Sequence, residues 1–233
     1  MYSNVSSINK IQQNINSLLQ VPMKSKKIFF NKKKKIIEYK EYNFNIKAIE
    51  IESKILNESG KKNDLLNQLI EWIGQKNFQL IYRASRDGSE STKFHNKCDN
   101  QGPTVILCQN QKGNIFGGYS SISWTSPQKG IYKDANDCFL FSLTNIKGDM
   151  FIKFPSRTNN KAVYHNKGYG PTFGSGFDLK IYSYFLNNKE SYANIGNTYA
   201  DVEGDGNSIF SGDINTAYFQ LKELEVFKLL EKN

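Results

Sequence analysis

The sequence contains few of the residues on which metal sites, disulfide frameworks and membrane spans depend. It has three cysteines and two histidines in 233 residues. An odd number of cysteines without a C-x-x-C pair does not fit the disulfide framework of a small secreted protein. No apolar run approaches the roughly 18 residues that a bilayer-spanning helix needs. We therefore expect a cytoplasmic protein with reduced thiols and no bound metal.

Positive charge is abundant but unevenly distributed along the chain. Residues 1–47 hold ten lysines against Glu38 and Glu41, a net charge of +8. Because the whole chain has 31 basic and 22 acidic residues, residues 48–233 hold 21 against 20, a net charge of +1. The sequence thus predicts a basic, flexible N-terminal tail at 1–47 and one nearly neutral globular domain at 48–233.

The tail admits three interpretations. The first is a solvated, disordered segment. The second is contact of its Lys24–Lys35 region with an anionic membrane surface. The third is that these lysines bind nucleic acid or serve as an import signal. We expect no sequence-specific nucleic-acid recognition. Apolar residues between Ile8 and Leu19 recur at spacings of three and four, which predicts a weak amphipathic helix.

Beyond the tail, the apolar period changes from helical to alternating. An apolar stripe predicts a helix over Lys62–Ile73, which Gly74 is placed to end. After residue 76, short apolar runs separated by Gly-containing turns predict strands. The runs are Phe78–Ala84, Thr104–Gln109, Ile115–Trp124, Cys138–Leu143, Met150–Phe154, Ala162–His165, Phe177–Tyr184 and Phe219–Leu229. The predicted fold is mainly β (α+β): a two-sheet antiparallel β-sandwich with a few flanking helices.

Two of these strands carry a more detailed pattern. In Phe177–Tyr184, Asp178 and Lys180 alternate with apolar residues, which predicts a half-buried strand with both charges in water. In the last run the apolar face changes sides between Leu221 and Leu224, which predicts a β-bulge.

Glycines and one polar stretch supply further predictions. Gly117 and Gly118 lie inside an apolar run and predict a bulge or a close approach between sheets. The Gly168–Gly176 stretch lacks the Gly-Lys-Ser/Thr ending of a phosphate loop and is predicted to be a turn that leads into a strand. The stretch Ser85–Asp99 breaks the strand pattern and predicts a short helix.

The order of several short segments is similar to that of a known family. The matching segments are Leu80–Gly88, Phe94-His95, Cys98-Asp99, Gly102–Thr104, Ile115–Tyr119, Trp124, Phe139–Leu143, Tyr164-His165, Tyr169–Gly174, Asp178-Leu179 and Glu223–Phe227. They resemble the TLDc domain of the oxidation-resistance family over about residues 76–230. The resemblance implies a β-sandwich and a non-catalytic, regulatory module. It also implies binding to subunits of the vacuolar proton-pumping ATPase at vacuolar or endolysosomal membranes, and a link to oxidative stress resistance.

Candidate partner-binding residues lie at two places. Arg83, Arg86 and Asp87 surround a tight turn, where a carboxylate can bind turn amides and pair with arginine, or where the charges can contact a partner. Trp124 and Tyr132 flank a predicted loop and are candidates for an aromatic anchor, although Trp124 also fits a core position. We expect the domain to act as a monomer.

The main candidates for a metal site or a reactive thiol are His95 and Cys98, which are three residues apart. This spacing allows half of a zinc site or a reactive thiol, but no second pair of ligands stands nearby. Cys98 as a thiol-dependent antioxidant centre is the enzymatic alternative, whereas a buried packing cysteine is the simpler interpretation. His165 beside a turn is interpreted as a hydrogen-bonding group. The sequence therefore predicts no catalytic residue and no cofactor.

Overall fold

The computed structural model describes residues 49–148 and 151–231, together with the backbone of two strands nearer the N-terminus. The chain divides into two compact units, 1–48 and 49–233. The predicted amphipathic helix between Ile8 and Leu19 lies outside the described residues.

A short antiparallel hairpin is described in the first unit. Its strands are β1 (Lys26–Phe30) and β2 (Ile37–Glu41), with Lys26 opposite Glu41 and Phe30 opposite Ile37. The sequence analysis did not predict these strands. Part of the Lys24–Lys35 region therefore has extended, paired backbone.

Helices of the second unit lie near its beginning. They are α1 (Lys54–Glu58), α2 (Lys62–Ile73), α3 (Ala84–Asp87) and α4 (Ser91–Cys98). The prediction for α2 is confirmed at both ends: Gly74 follows with a φ of 90°, and its N–H donates to the Ile70 carbonyl. The short helix predicted within Ser85–Asp99 is confirmed by α4.

Twelve strands described in the second unit form two antiparallel sheets. They are β3 (Asn77–Arg83), β4 (Thr104–Asn110), β5 (Ile115–Ser120), β6 (Ile131–Lys133), β7 (Phe139–Thr144), β8 (Ile152–Pro155), β9 (Val163–His165), β10 (Tyr169–Phe173), β11 (Leu179–Tyr182), β12 (Ser191–Ala193), β13 (Tyr218–Phe219) and β14 (Leu221–Leu230). Sheet I has the order β3-β14-β4-β5-β7-β8, and sheet II the order β13-β12-β11-β10-β9-β6. The predicted two-sheet sandwich is confirmed.

Sheet I packs against apolar clusters on both of its faces, whereas sheet II packs against the hydrophobic core on one face only among the described residues. Between the sheets, Ile106 and Phe116 pack in a cluster with Phe173 of sheet II. On the other face of sheet I, Leu65 of α2 packs with Leu107. Because β4 lies between these two clusters, every residue from Thr104 to Asn110 is buried. A strand covered on both faces reads as a continuous rather than an alternating apolar run.

Two strand-level predictions have opposite outcomes. The predicted bulge is confirmed, because the pairing of β14 with β4 shifts register between Leu221 and Glu223. The prediction that Asp178 and Lys180 face water is wrong: Asp178 is 0% exposed and Lys180 4%. Alternation of polarity identified a strand but not the environment of its polar side chains.

Most strands that the sequence analysis missed belong to sheet II. The strands β6 and β12 are three residues long, too short for a period to be recognised. The Gly168–Gly176 stretch contains all of β10 before its turn, although only a turn was predicted there. Gly170 and Pro171 within β10 are typical of turns, which explains why this strand was not predicted. Its pairing with β11 shifts register between Tyr169 and Thr172.

The predicted close approach between the sheets is confirmed at Gly118. A Cβ atom on Gly118 would lie 2.6 Å from the Phe173 ring of the facing sheet. At Gly117 it would lie 1.8 Å from the carbonyl oxygen of Ile106 on the neighbouring strand. Backbone cannot move aside as a flexible side chain can, so Gly117 is the more constrained position.

We expect Gly117→Ala to destabilise the domain by about 3 kcal/mol or more, because the new methyl group overlaps the backbone of β4. The matched control is Gly168→Ala, where the added carbon would meet only a side-chain oxygen of Asn166 at 3.1 Å and should cost within about 1 kcal/mol. Urea unfolding followed by tryptophan fluorescence measures both. Equal stability of the two variants would contradict the expectation.

Candidate functional site

The turn after β3 is organised by Asp87. Its carboxylate accepts the backbone N–H of Arg83 at 2.9 Å and two guanidinium N–H groups of Arg86 at 3.0 and 2.7 Å. The bonds from Arg86, helped by the amide of Arg83, hold the pKa of Asp87 below its ordinary value. Because the Arg86 side chain is 47% exposed, it is accessible to a partner.

Beside this turn, the fully buried Glu225 of β14 joins three segments. It accepts Arg83 Nε at 2.6 Å, Ser53 Oγ at 2.6 Å and the backbone N–H of Lys54 at 2.9 Å. Ser53 caps α1 by accepting the N–H of Leu56. The carboxylate therefore fixes the start of α1 and the end of the edge strand β3 to the neighbouring strand β14 of sheet I.

Glu223, two residues earlier on the same strand, has a similar role. It is 2% exposed and accepts the backbone N–H of Ser85 at 3.0 Å, next to the start of α3. Lys54 Nζ lies 3.3 Å from its other oxygen. Residues two apart on a strand project to the same face. Glu223 and Glu225 thus form one carboxylate pair under the Arg83–Asp87 turn.

Sequence reasoning did not identify this carboxylate pair as a site, although Glu223–Phe227 was one of the matching segments. The available signal was the occurrence of Glu223 and Glu225 inside a strand whose other residues are mostly apolar. A buried carboxylate needs partners because leaving water costs several kcal/mol. Arg83, predicted as a partner-binding residue, supplies one of those partners and is engaged within the domain.

The two residues of the second predicted location, Trp124 and Tyr132, lie in different environments. Trp124 is 1% exposed, donates from Nε1 to Thr104 Oγ1 at 2.9 Å and lies against the Phe94 and Phe173 rings. It is therefore a core residue and not an exposed anchor. Tyr132, on the edge strand β6 of sheet II, is 36% exposed.

Both histidines are buried and bonded within the domain. His95 Nδ1 lies 2.8 Å from Asp99 Oδ1, and its Nε2 lies 3.0 Å from the carbonyl oxygens of Asn166 and Tyr169. His165 Nδ1 lies 2.7 Å from Thr125 Oγ1, while its Nε2 has no hydrogen-bond partner among the described residues. Burial lowers the pKa of His165 to about 4.

The cysteines lie in the core. Cys98, Cys108 and Cys138 are all buried and unpaired by disulfides. Burial, reinforced by Asp99 and Asp87, raises the pKa of Cys98 well above its ordinary value, which disfavours a reactive thiolate. In the ranges 49–148 and 151–231, no three His, Cys, Asp or Glu side chains are grouped to hold a metal ion.

The match to a family model covers almost the whole of the second unit. The model of the TLDc domain matches residues 49–230. The chain belongs to the TLDc family. This confirms the resemblance drawn from the segments between Leu80 and Phe227.

No helix among the described residues is both long and apolar enough to span a bilayer.

Curated relatives of the TLDc chain carry one name, mTOR-associated protein MEAK7. The zebrafish (Danio rerio) protein is 37% identical over 67 residues, which is 28% of this chain and 14% of that protein. The chicken (Gallus gallus) protein is 32% identical over 96 residues, 41% and 17% of the two chains. The mouse (Mus musculus) protein is 28% identical over 95 residues, 40% and 20%. The chain therefore spans no more than a fifth of the length of these three relatives.

We expect Glu225→Gln to lower the free energy of unfolding by about 3–5 kcal/mol, because it removes the buried partner of Arg83. The matched control is Glu58→Gln, which breaks an exposed 3.2 Å ion pair with Lys222 and should cost less than about 1 kcal/mol. Urea titration measures both. A loss at Glu225 no larger than that at Glu58 would contradict the central role of this carboxylate.

The stability of the domain should fall as the pH falls from 6.5 towards 4, the ordinary and folded-state pKa values of His165. In that window the unfolded imidazole binds a proton that the folded one does not, which costs up to about 3 kcal/mol. Urea midpoints at several pH values measure the effect. His165→Gln should show a shallower pH dependence than the parent protein, whereas identical slopes would exclude His165 as its source.

Proposed function

We propose that this TLDc domain is a non-catalytic, regulatory interaction module that binds the vacuolar proton-pumping ATPase. The observation that carries the proposal is the family match, which extends over residues 49–230 and thus over nearly the whole sandwich. The proposal places the protein in the cytoplasm, peripheral to vacuolar or endolysosomal membranes, where regulation of the pump contributes to oxidative stress resistance.

The surroundings of the candidate reactive groups support a non-catalytic role. A thiol-dependent antioxidant needs an accessible thiolate, but Cys98 is 0% exposed and its pKa is raised. Both histidines are buried as well. Docking needs none of these groups to be exposed, because binding uses surface loops, edges and faces of the sandwich.

Arg86 is the best-placed charge for partner contact in the Arg83–Asp87 turn. Its guanidinium is bidentate to Asp87 and about half exposed, so it is already oriented when a partner arrives. Arg83, by contrast, donates its Nε–H to the buried carboxylate of Glu225. The Lys24–Lys35 region is proposed to add a weak contact with an anionic membrane surface, and that contact should weaken with added salt.

A second candidate partner is an mTOR-containing assembly. The observation that favours it is the name of the relatives, which describes them as mTOR-associated, together with the local identity of 28–37%. The name describes an association of the MEAK7 proteins and not of this chain. Both candidates share the coarser role of a binding module and differ in the complex that is bound.

Purified protein should co-sediment saturably with intact vacuolar ATPase and change its rate of ATP hydrolysis or its retention of subunits. We expect Arg86→Glu to weaken this binding about tenfold or more, because it reverses an exposed interface charge. Loss of the half-exposed Arg86–Asp87 pair should lower the free energy of unfolding by about 1 kcal/mol at most, so the variant stays folded. Lys189→Glu, a charge reversal at an exposed lysine outside the turn, is the control.

Three outcomes separate the alternatives. Equal binding by Arg86→Glu and Lys189→Glu would remove the turn from the interface. Failure of the parent protein to co-sediment would refute the ATPase proposal. Binding to a purified mTOR complex in that case would favour the second candidate.

A further inference from the structure

The outer face of sheet II carries a band of aromatic side chains. Six tyrosines project from its strands: Tyr132, Tyr164, Tyr169, Tyr182, Tyr192 and Tyr218. They pair across the strands, with Tyr132 opposite Tyr164, Tyr169 opposite Tyr182, and Tyr192 opposite Tyr218. We call this surface the tyrosine face. Both sheets have inner faces in the core. The outer face of sheet I packs against α2, whereas α4 contacts sheet II at β10, where His95 Nε2 lies 3.0 Å from the Tyr169 carbonyl oxygen.

Much of the tyrosine face forms one connected set of rings. The ring centroids of Tyr132 and Tyr164 are 4.8 Å apart, those of Tyr164 and Tyr169 6.4 Å, and those of Tyr169 and Tyr182 5.2 Å. Each of the six side chains is partly or largely exposed, and Tyr218 reaches 58%. Amphipathic aromatic rings of this kind are enriched where proteins bind partners.

Lys180 lies at the centre of this face. Its ammonium nitrogen is 3.7 Å from the centroid of the Tyr169 ring, 4.3 Å from that of Phe177 and 4.5 Å from that of Tyr182. The residue is only 4% exposed. Among the described residues, no carboxylate or hydrogen-bond acceptor pairs with this ammonium group. The rings supply cation–π attraction but leave the three ammonium donors without an oxygen acceptor.

The surrounding charges favour an anionic partner group. The six strands of sheet II contain Lys133 and Lys180 but no aspartate or glutamate. Burial, with neighbouring tyrosines, raises the pKa of Tyr192, which lies opposite Lys180 on the adjacent strand, to about 12, so its hydroxyl remains a donor. An acidic group above Lys180 would therefore meet a cation and hydroxyl donors without an opposing carboxylate from these strands.

We propose that the tyrosine face binds a peptide segment of a partner protein in which one acidic side chain reaches Lys180 and flanking apolar or proline residues lie on the tyrosine rings. Aromatic-lined surfaces bind extended, proline-rich peptides in this way. A single-stranded nucleic acid fits less well, because its successive phosphates need a track of cations, and residues 48–233 have a net charge of only +1. The proposal rests on the interaction role proposed above but not on the identity of the complex bound.

A ligand-binding role also explains why a lysine is kept at this position, where rings but no oxygen acceptor of the described residues surround its ammonium group. An apolar residue of similar volume in place of a poorly paired charge is often neutral or stabilising. Lys180→Met should therefore keep or raise the melting temperature. If lysine served the fold alone, the same substitution should lower it.

The test is selection of random short peptides, displayed on phage, against the full chain, followed by affinity measurement with the synthetic peptides enriched. We expect enriched sequences to share one Asp or Glu flanked by apolar residues or proline. Lys180→Met should weaken their binding about 10- to 100-fold, and so should Gln in place of the acidic peptide residue. The control Lys93→Met removes an exposed lysine of α4 and should bind as the parent does.

Other results would overturn the proposal. It fails if enriched peptides lack an acidic position, if Lys180→Met binds them within about twofold of the parent, or if no peptide is enriched. Binding of a short oligothymidine at this face without acidic peptide enrichment would assign it to nucleic acid, and Lys180-dependent dimers in sedimentation would assign it to a second copy. Failure of the vacuolar ATPase experiment leaves this test intact, because the peptide selection uses no ATPase.

Discussion

The packing of the N-terminal part of the domain onto sheet I depends on two buried carboxylates. Glu225 accepts hydrogen bonds from Arg83, Ser53 and Lys54, and Glu223 accepts the amide of Ser85. Both belong to β14, which pairs with β3 on one side and β4 on the other. Because an ionised carboxylate leaves water only when such donors replace its hydration, the start of α1, the end of β3 and the start of α3 are fixed together.

This arrangement produces an asymmetry between the sheets. Once the carboxylate pair fixes the segment around α1 to sheet I, α2 packs over the outer face of that sheet, with Leu65 and Leu69 among its buried residues. Sheet II receives no corresponding helical layer among the described residues. Its outer face therefore depends on its own side chains, and tyrosine suits this position because its ring packs while its hydroxyl meets water. The peptide binding proposed above would use this exposed sheet face as well as the loops.

Sequence reasoning succeeded where one periodic pattern had a single physical explanation. The helix at Lys62–Ile73 has a stripe and a terminal glycine, and the bulge in β14 follows from the change of apolar parity. It failed where the environment of a polar or aromatic residue comes from distant segments. Trp124 was left open between core and surface, because the Phe94 and Phe173 rings that enclose it lie elsewhere in the chain. The carboxylate pair was missed for the same reason, since its donors lie about 140–170 residues away.

Asp178 and Lys180 show how much a polarity pattern leaves undetermined. The two residues stand two apart, and alternation assigned both to water, yet both are buried. Asp178 accepts backbone N–H groups from Gly196 to Tyr199 at 3.0–3.3 Å, so its burial is compensated within the fold even though desolvation raises its pKa. Lys180 has rings around its ammonium group but no oxygen acceptor among the described residues. The four amides account for the burial of Asp178 within the fold, whereas the proposed peptide would supply the oxygen acceptor that the ammonium group of Lys180 lacks among the described residues.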